Sequence, residues 1–192
     1  MKMTIRIVGA ILVLGMLAAA GCRRNEPAGP SLEDQLRADT DVQLLFEIRD
    51  ELTTSALATG VTKGELLPVL RARDEKTLAS LLGIAPERYA KLAKRLSTAR
   101  EHLLQRYPDL MRRAMPRECP DCDVEAFASM FGRMRARGPA LVHAPRAVSC
   151  HYLPYVASLA VCTGMGPALY WPCAVVALCA FCEGGWVETV CN

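Results

Sequence analysis

Residues 150–192 constrain this chain more than any other stretch. Six of its nine cysteines lie there (Cys150, Cys162, Cys173, Cys179, Cys182 and Cys191), and no charged side chain stands between His151 and Glu183. Beyond Arg146 there is neither lysine nor arginine. Such a segment must be covered, stapled or placed in lipid, because water does not tolerate that much contiguous apolar surface. The net charge of +3 over 192 residues conceals this asymmetry, since residues 100–146 carry nine Arg against six acids. The acids are interspersed among the arginines and no run of aromatics accompanies them, so that stretch reads as a solvated helical surface. Nucleic acid is not expected as a partner.

Within the tail, apolar residues run through Tyr152-Leu153, 156–162, 168–171 and 173–182, and Thr163-Gly164-Met165-Gly166-Pro167 divides them. The division predicts a helical hairpin, with one helix near 154–162 and a second near 172–181, each with proline in its first turn. Gly184-Gly185 is expected to end the second, and residues 186–191 to close back on the core. A membrane-spanning hairpin is the alternative. Against it, Gly164, Gly166, Pro167 and Pro172 cut the run into pieces of about 10 to 15 residues, shorter than the ~20 a span needs. Six cysteines in so short a segment favour a stapled core.

The N-terminus supplies an address. Lys2 and Arg6 precede an apolar core at 7–17, and Ala18-Ala19-Ala20-Gly21 forms a small-residue exit. This is the tripartite pattern of a secretory signal, and its core is short for a membrane span. Ala20-Gly21-Cys22 resembles the lipobox of bacterial lipoproteins. That resemblance implies diacylglycerol on the Cys22 thiol, with membrane lipid as the partner of an acylated terminus and the bacterial cell envelope as the location. Residues 1–21 are then the signal and 22–30, with Pro27, Gly29 and Pro30, a solvated tether.

Residues 31–115 read as a small three- or four-helix domain. Ser31 precedes Leu32-Glu33-Asp34 as a helix start, and Leu36, Val42, Leu45, Ile48, Leu52 and Leu57 give one apolar stripe up to Gly60. Thr62 and Glu65 have capping-box spacing, with a bend expected at Pro68. Asp74 opens a third piece closed by Gly83. Residues 86–106 form the strongest helix, with Leu92, Leu96, Ala99 and Leu103 inward, and one more helical turn is expected within 109–115. His102 lacks a second histidine at metal-ligand spacing and reads as a surface residue. The carboxylate pairs Asp39/Asp41 and Glu47/Asp50 read as helix-surface acids, and no phosphate loop or nucleophile elbow is present. No catalytic residue, metal or cofactor is expected.

In the connector, 116–149, Cys119-Pro120-Asp121-Cys122 allows three readings. A redox pair would want a helix N-terminus within a βαβ unit. A zinc site would combine it with Cys179-Ala180-Phe181-Cys182. As disulfide partners, the two cysteines would pair with each other or with the tail. Cys22 aside, eight cysteines remain, an even set as an exported disulfide framework requires. Asp123 is a natural cap for a helix over 124–135 with Phe127, Met130, Phe131 and Met134 on one side, and Gly138-Pro139 breaks it. Arg133, Arg135 and Arg137 beside that breaker form a candidate processing site that would free the tail.

The tail also resembles a known family. Cys150 with Tyr152 close behind, Val161-Cys162-Thr163 followed by Gly164, the cysteine-dotted aliphatic run to Cys182, and above all Gly185-Trp186-Val187-Glu188-Thr189-Val190-Cys191 resemble the cysteine-rich bacteriocins of the halocin type. In that family a peptide released from a longer precursor kills related cells, and the upstream portion is associated with immunity. The resemblance implies a membrane-active tail, a target membrane as its partner, and a restraining helical region. The alternative is a non-enzymatic envelope lipoprotein whose stapled tail is structural or binds an envelope protein. Either way the expected fold is all-α: a small helical domain followed by a disulfide-stapled apolar hairpin.

Overall fold

The computed structural model describes residues 29–114, 120–137 and 149–191, with backbone only at 120–123, 137, 186 and 189. The signal, Cys22 and Cys119 lie outside these residues, as do the side chains of Cys122 and Arg137. Leu32–Asn192 forms one compact unit. The expected helical domain and cysteine-rich tail share its core, which runs without a break from Leu36 to Val190.

The fold is all-α, with a single two-residue strand pair among the described residues. Helix α1 (Leu32–Ala38) follows Ser31 directly and leads into α2 (Thr40–Thr59). The apolar stripe of this stretch predicts one helix, but the chain turns at Asp39. Its backbone is extended (φ −75°, ψ 123°), and its Oδ1 accepts from the amides of Asp41 (2.8 Å) and Val42 (3.4 Å). A carboxylate that satisfies two first-turn amides starts a new helix more effectively than it continues an old one. Gly60, at φ 69°, ends α2 in the left-handed conformation that glycine adopts without strain.

The capping box of α3 (Lys63–Ala72) is present in both directions. The Glu65 amide donates to Thr62 Oγ1 at 3.3 Å and the Thr62 amide to Glu65 Oε2 at 2.8 Å, and the helix continues through Pro68. Asp74 caps α4 (Glu75–Leu81) by accepting from the Thr77 amide. Helix α5 (Pro86–Arg106) has the predicted bounds and the predicted inward face, and a 3-10 turn follows at Leu110–Arg113. Helix α6 (Pro120–Arg137) turns Val124, Phe127, Phe131 and Met134 inward.

The tail begins at β1 (Ser149–Cys150), which pairs antiparallel with β2 (Cys182–Glu183). Between them α7 (Tyr152–Thr163) and α8 (Pro167–Phe181) form the hairpin, and α9 (Gly185–Cys191) returns onto it. Helix α8 starts five residues before the predicted Pro172. Gly166, at φ 86°, reverses the chain, and Pro167 takes the first helical position, where its missing N–H costs nothing. Pro172 is then interior to the helix. Both hairpin helices are apolar around most of their circumference, which requires cover on several sides. Helix α8 packs against α2, α6 and α7, and α7 against α1, α5 and the 3-10 turn.

Candidate functional site: the covered, stapled hairpin

Three disulfides hold the tail, and all are internal to it. Cys150–Cys182 joins the strand pair across 32 residues, Cys162–Cys173 ties α7 to α8 across 11, and Cys179–Cys191 ties α8 to α9 across 12. The six tail cysteines therefore saturate one another. This excludes a tail partner for Cys119 or Cys122. It also removes Cys179 and Cys182 from any four-thiolate zinc site, because a disulfide sulfur is not a thiolate ligand. Among the described residues no group of three or more His, Cys, Asp or Glu is placed to hold a metal ion, and no helix is long and apolar enough to cross a membrane.

The upstream helices meet the hairpin in a layer of aromatics whose polar tips find partners on α1 and α2. Trp171 and Tyr170 are fully buried. The indole Nε1 of Trp171 donates to Thr53 Oγ1 at 3.0 Å, the Tyr170 hydroxyl donates to the Leu45 carbonyl at 2.5 Å, and the Tyr152 hydroxyl donates to the Leu36 carbonyl at 3.3 Å. A buried hydroxyl or indole N–H without a partner is costly, so these bonds specify which face of the hairpin meets which helix. Phe127 and Phe131 of α6 stand edge-on to Trp171 at 4.6 and 5.8 Å between ring centroids. These are the edge-to-face contacts that aromatic quadrupoles favour.

Charge enters this layer through α2. The Arg49 guanidinium donates to the Tyr155 hydroxyl and pairs with Asp50 at 2.7 Å. Burial opposes the cation, but the neighbouring Tyr155 and Asp50 outweigh it and raise the Arg49 pKa. Burial raises the pKa of the Tyr155 and Tyr170 hydroxyls, with Arg49 opposing in both cases. Phe46 stacks on Tyr155 at 5.7 Å, and the Arg37 guanidinium lies 4.1 Å from the Tyr152 ring centroid. At the other end, Arg133 of α6 donates from Nε to the Val190 carbonyl at 2.6 Å, with Nη2 3.5 Å from the Cys191 carbonyl. A cation on the last carbonyls of α9 satisfies groups that a helix end leaves open.

The processing candidates Arg133, Arg135 and Arg137 all belong to α6, so they do not stand on an irregular connector. Arg133 and Arg135 both lie within α6, Arg133 half-buried by its bonds to the tail and Arg135 exposed. Of the acids read as helix-surface carboxylates, Glu47 and Asp50 are exposed, whereas Asp39 and Asp41 come together at the α1–α2 junction. Asp39, nearly buried, accepts from the Tyr107 hydroxyl at 3.0 Å and pairs with Arg106 at 3.2 Å. Asp41 also pairs with Arg106 and lies 3.2 Å from Nδ1 of the half-exposed His102. Every carboxylate in this group is engaged with a cation or a hydroxyl, so the group works as a lock between the α1–α2 junction and the end of α5. The local signal was readable, because Asp39-Thr40-Asp41 is a cap sequence inside the stripe. The partners Arg106 and Tyr107 were not.

Comparison with family models, with curated proteins and with solved structures gives no match for this chain.

Proposed function

We propose that the chain is an exported, lipid-anchored, non-enzymatic precursor in which α1–α6 hold a bacteriocin-like, membrane-active module in a covered state. One observation carries this reading. All three disulfides close within 150–191, while every tie between that segment and α1–α6 among the described residues is non-covalent. A cut near the end of α6, next to Arg137, would leave a stapled uncharged hairpin with no covalent hold on its cover. Exposed, its apolar helices would partition into a bilayer. A cut after Arg133 or Arg135 would first require unwinding of α6, because proteases favour exposed, flexible segments.

A second reading is favoured by the buried tips of Trp171, Tyr170 and Tyr152. Bonds as specific as these suit a hairpin that is a permanent core element of an envelope scaffold. The two readings separate in one assay. A site for a sequence-specific protease is placed between Gly138 and Pro145 of the full chain, and dye release from anionic vesicles is followed before and after cutting. The precursor reading expects silence from the intact protein and leakage after the cut. Silence in both states, with the pieces still associated, favours the scaffold.

A further inference from the structure

The Cys179-Ala180-Phe181-Cys182 sequence is divided between two disulfides, and both border one open groove. This groove, of about 590 Å³, is lined by Cys179, Cys182 and Cys191 together with His151, Glu183 and Glu188. Cys179, Cys191 and Cys150 are partly exposed and Cys182 is 7% exposed, whereas both sulfurs of Cys162–Cys173 are fully buried. Thiol–disulfide exchange requires an attacking thiolate to reach a bridge sulfur, so access separates two exchangeable bridges from one protected bridge.

We propose that this groove is a thiol–disulfide exchange site for an external dithiol, and that Cys179 relays the exchange to the second bridge. The dithiol's thiolate attacks Cys191 Sγ; the Cys179–Cys191 bond breaks, and Cys179 leaves as a thiolate. The second thiol of the reductant resolves the mixed disulfide, freeing Cys191 and leaving the reductant as a disulfide, two electrons oxidised. The Cys179 thiolate then attacks Cys182 Sγ, forming Cys179–Cys182 and expelling Cys150, which takes a proton from water. The net change is two bridges and one dithiol to one new bridge, two protein thiols and one oxidised reductant.

The geometry supports the last step. Cys179 lies in the final turn of α8 and Cys182 caps it, with the Cys182 amide bonded to the Leu178 carbonyl. Cys182 itself is extended and pairs with Cys150 in the strand pair, so bringing its Cβ within the about 3.5–4.5 Å of Cys179 that a bridge needs rearranges the end of α8 and the start of β2. The exchange frees both ends of the tail, Cys150 at β1 and Cys191 at the end of α9, and leaves Cys162–Cys173 in place. It does not depend on the tail being released by proteolysis.

The test uses the oxidised full chain under native conditions. Graded dithiothreitol is added, thiols are trapped with N-ethylmaleimide, and the bridges are mapped by mass spectrometry. The expected intermediate carries the trap on Cys150 and Cys191, contains a Cys179–Cys182 bridge, and retains Cys162–Cys173, which opens about tenfold or more slowly. Trapping of Cys179 and Cys191 together with an intact Cys150–Cys182 bridge would overturn the relay. Opening of Cys162–Cys173 as early as the others would overturn the division by access. In a Cys191→Ala chain the Cys179 thiol is free from the outset, so Cys150 should become the trapped cysteine without added reductant. Trapping of Cys179 in that chain would overturn the relay independently.

Discussion

Thr53 holds two partners at once where α2 meets the hairpin. Its hydroxyl donates to the Arg49 carbonyl at 2.8 Å and accepts from Trp171 at 3.0 Å. Thr53→Val keeps the shape but leaves the buried indole N–H without an acceptor, and should cost about 1–3 kcal/mol. Trp171→Phe loses the bond and leaves a gap beside Phe127 and Phe131, at about 2–4 kcal/mol. Because each change removes the same bond, the double variant should cost less than the sum of the two, by about 0.5–3 kcal/mol. Urea unfolding of the four chains measures this coupling. Strict additivity would mean that the indole and the hydroxyl do not act as a pair. At the same scale, Asp39→Ala removes a cap and the partner of Tyr107, for about 1–3 kcal/mol, while Asp39→Asn keeps the cap and should cost less.

Among the elements, the hairpin depends on its buried bridge. Replacing Cys162 and Cys173 together by Ala releases the short loop they close and should remove about 2–4 kcal/mol, lowering Tm on the order of 10 °C. Calorimetry of the oxidised protein checks this, and a change under about 2 °C would show that packing alone holds α7 to α8. Elements were legible where local chemistry fixes them. Pro86 at a first helical turn, the Thr62–Glu65 box and Asp74 each place a helix start from a few neighbouring residues. The start of α8 is ambiguous in the sequence because Pro167 and Pro172 both suit a first turn, and only the reversal at Gly166 chooses between them. The disulfide map was not legible at all. Six similar cysteines on apolar helices carry no local mark of their partners, and the pairing follows from how α7, α8 and α9 pack. What covers the hairpin was equally hidden, because a helix apolar on most sides says that it is buried but not by what.

For the molecule as a whole, all five tyrosines have hydroxyl pKa values raised, chiefly by burial: Tyr89, Tyr107, Tyr152, Tyr155 and Tyr170. An unfolded tyrosine ionises near pH 10. Above that pH the unfolded chain has released protons that the folded chain still holds, so stability falls as pH rises. Their contribution is complete below about pH 10 and is lost as pH climbs towards the raised folded values. Phenolate absorbance should therefore appear together with loss of helical circular dichroism in one cooperative step above pH 10. Smooth, independent ionisation of Tyr89, Tyr152, Tyr155 and Tyr170 in a folded protein would contradict their burial.

The pairing of α1 and α2 with α7 and α8 also governs the order in which this protein can be made. Leu36 meets Tyr152, Leu45 meets Tyr170 and Thr53 meets Trp171, contacts that span 116, 125 and 118 residues. A chain synthesised from its N-terminus presents α1–α5 long before their covering partners exist, and contacts this distant slow folding because a large loop must close first. The early helices must wait with the Leu36 and Leu45 carbonyls and the Thr53 hydroxyl still lacking their tail partners, open to chaperones and to proteases alike. The nascent protein therefore completes this layer only when residues 150–191 arrive.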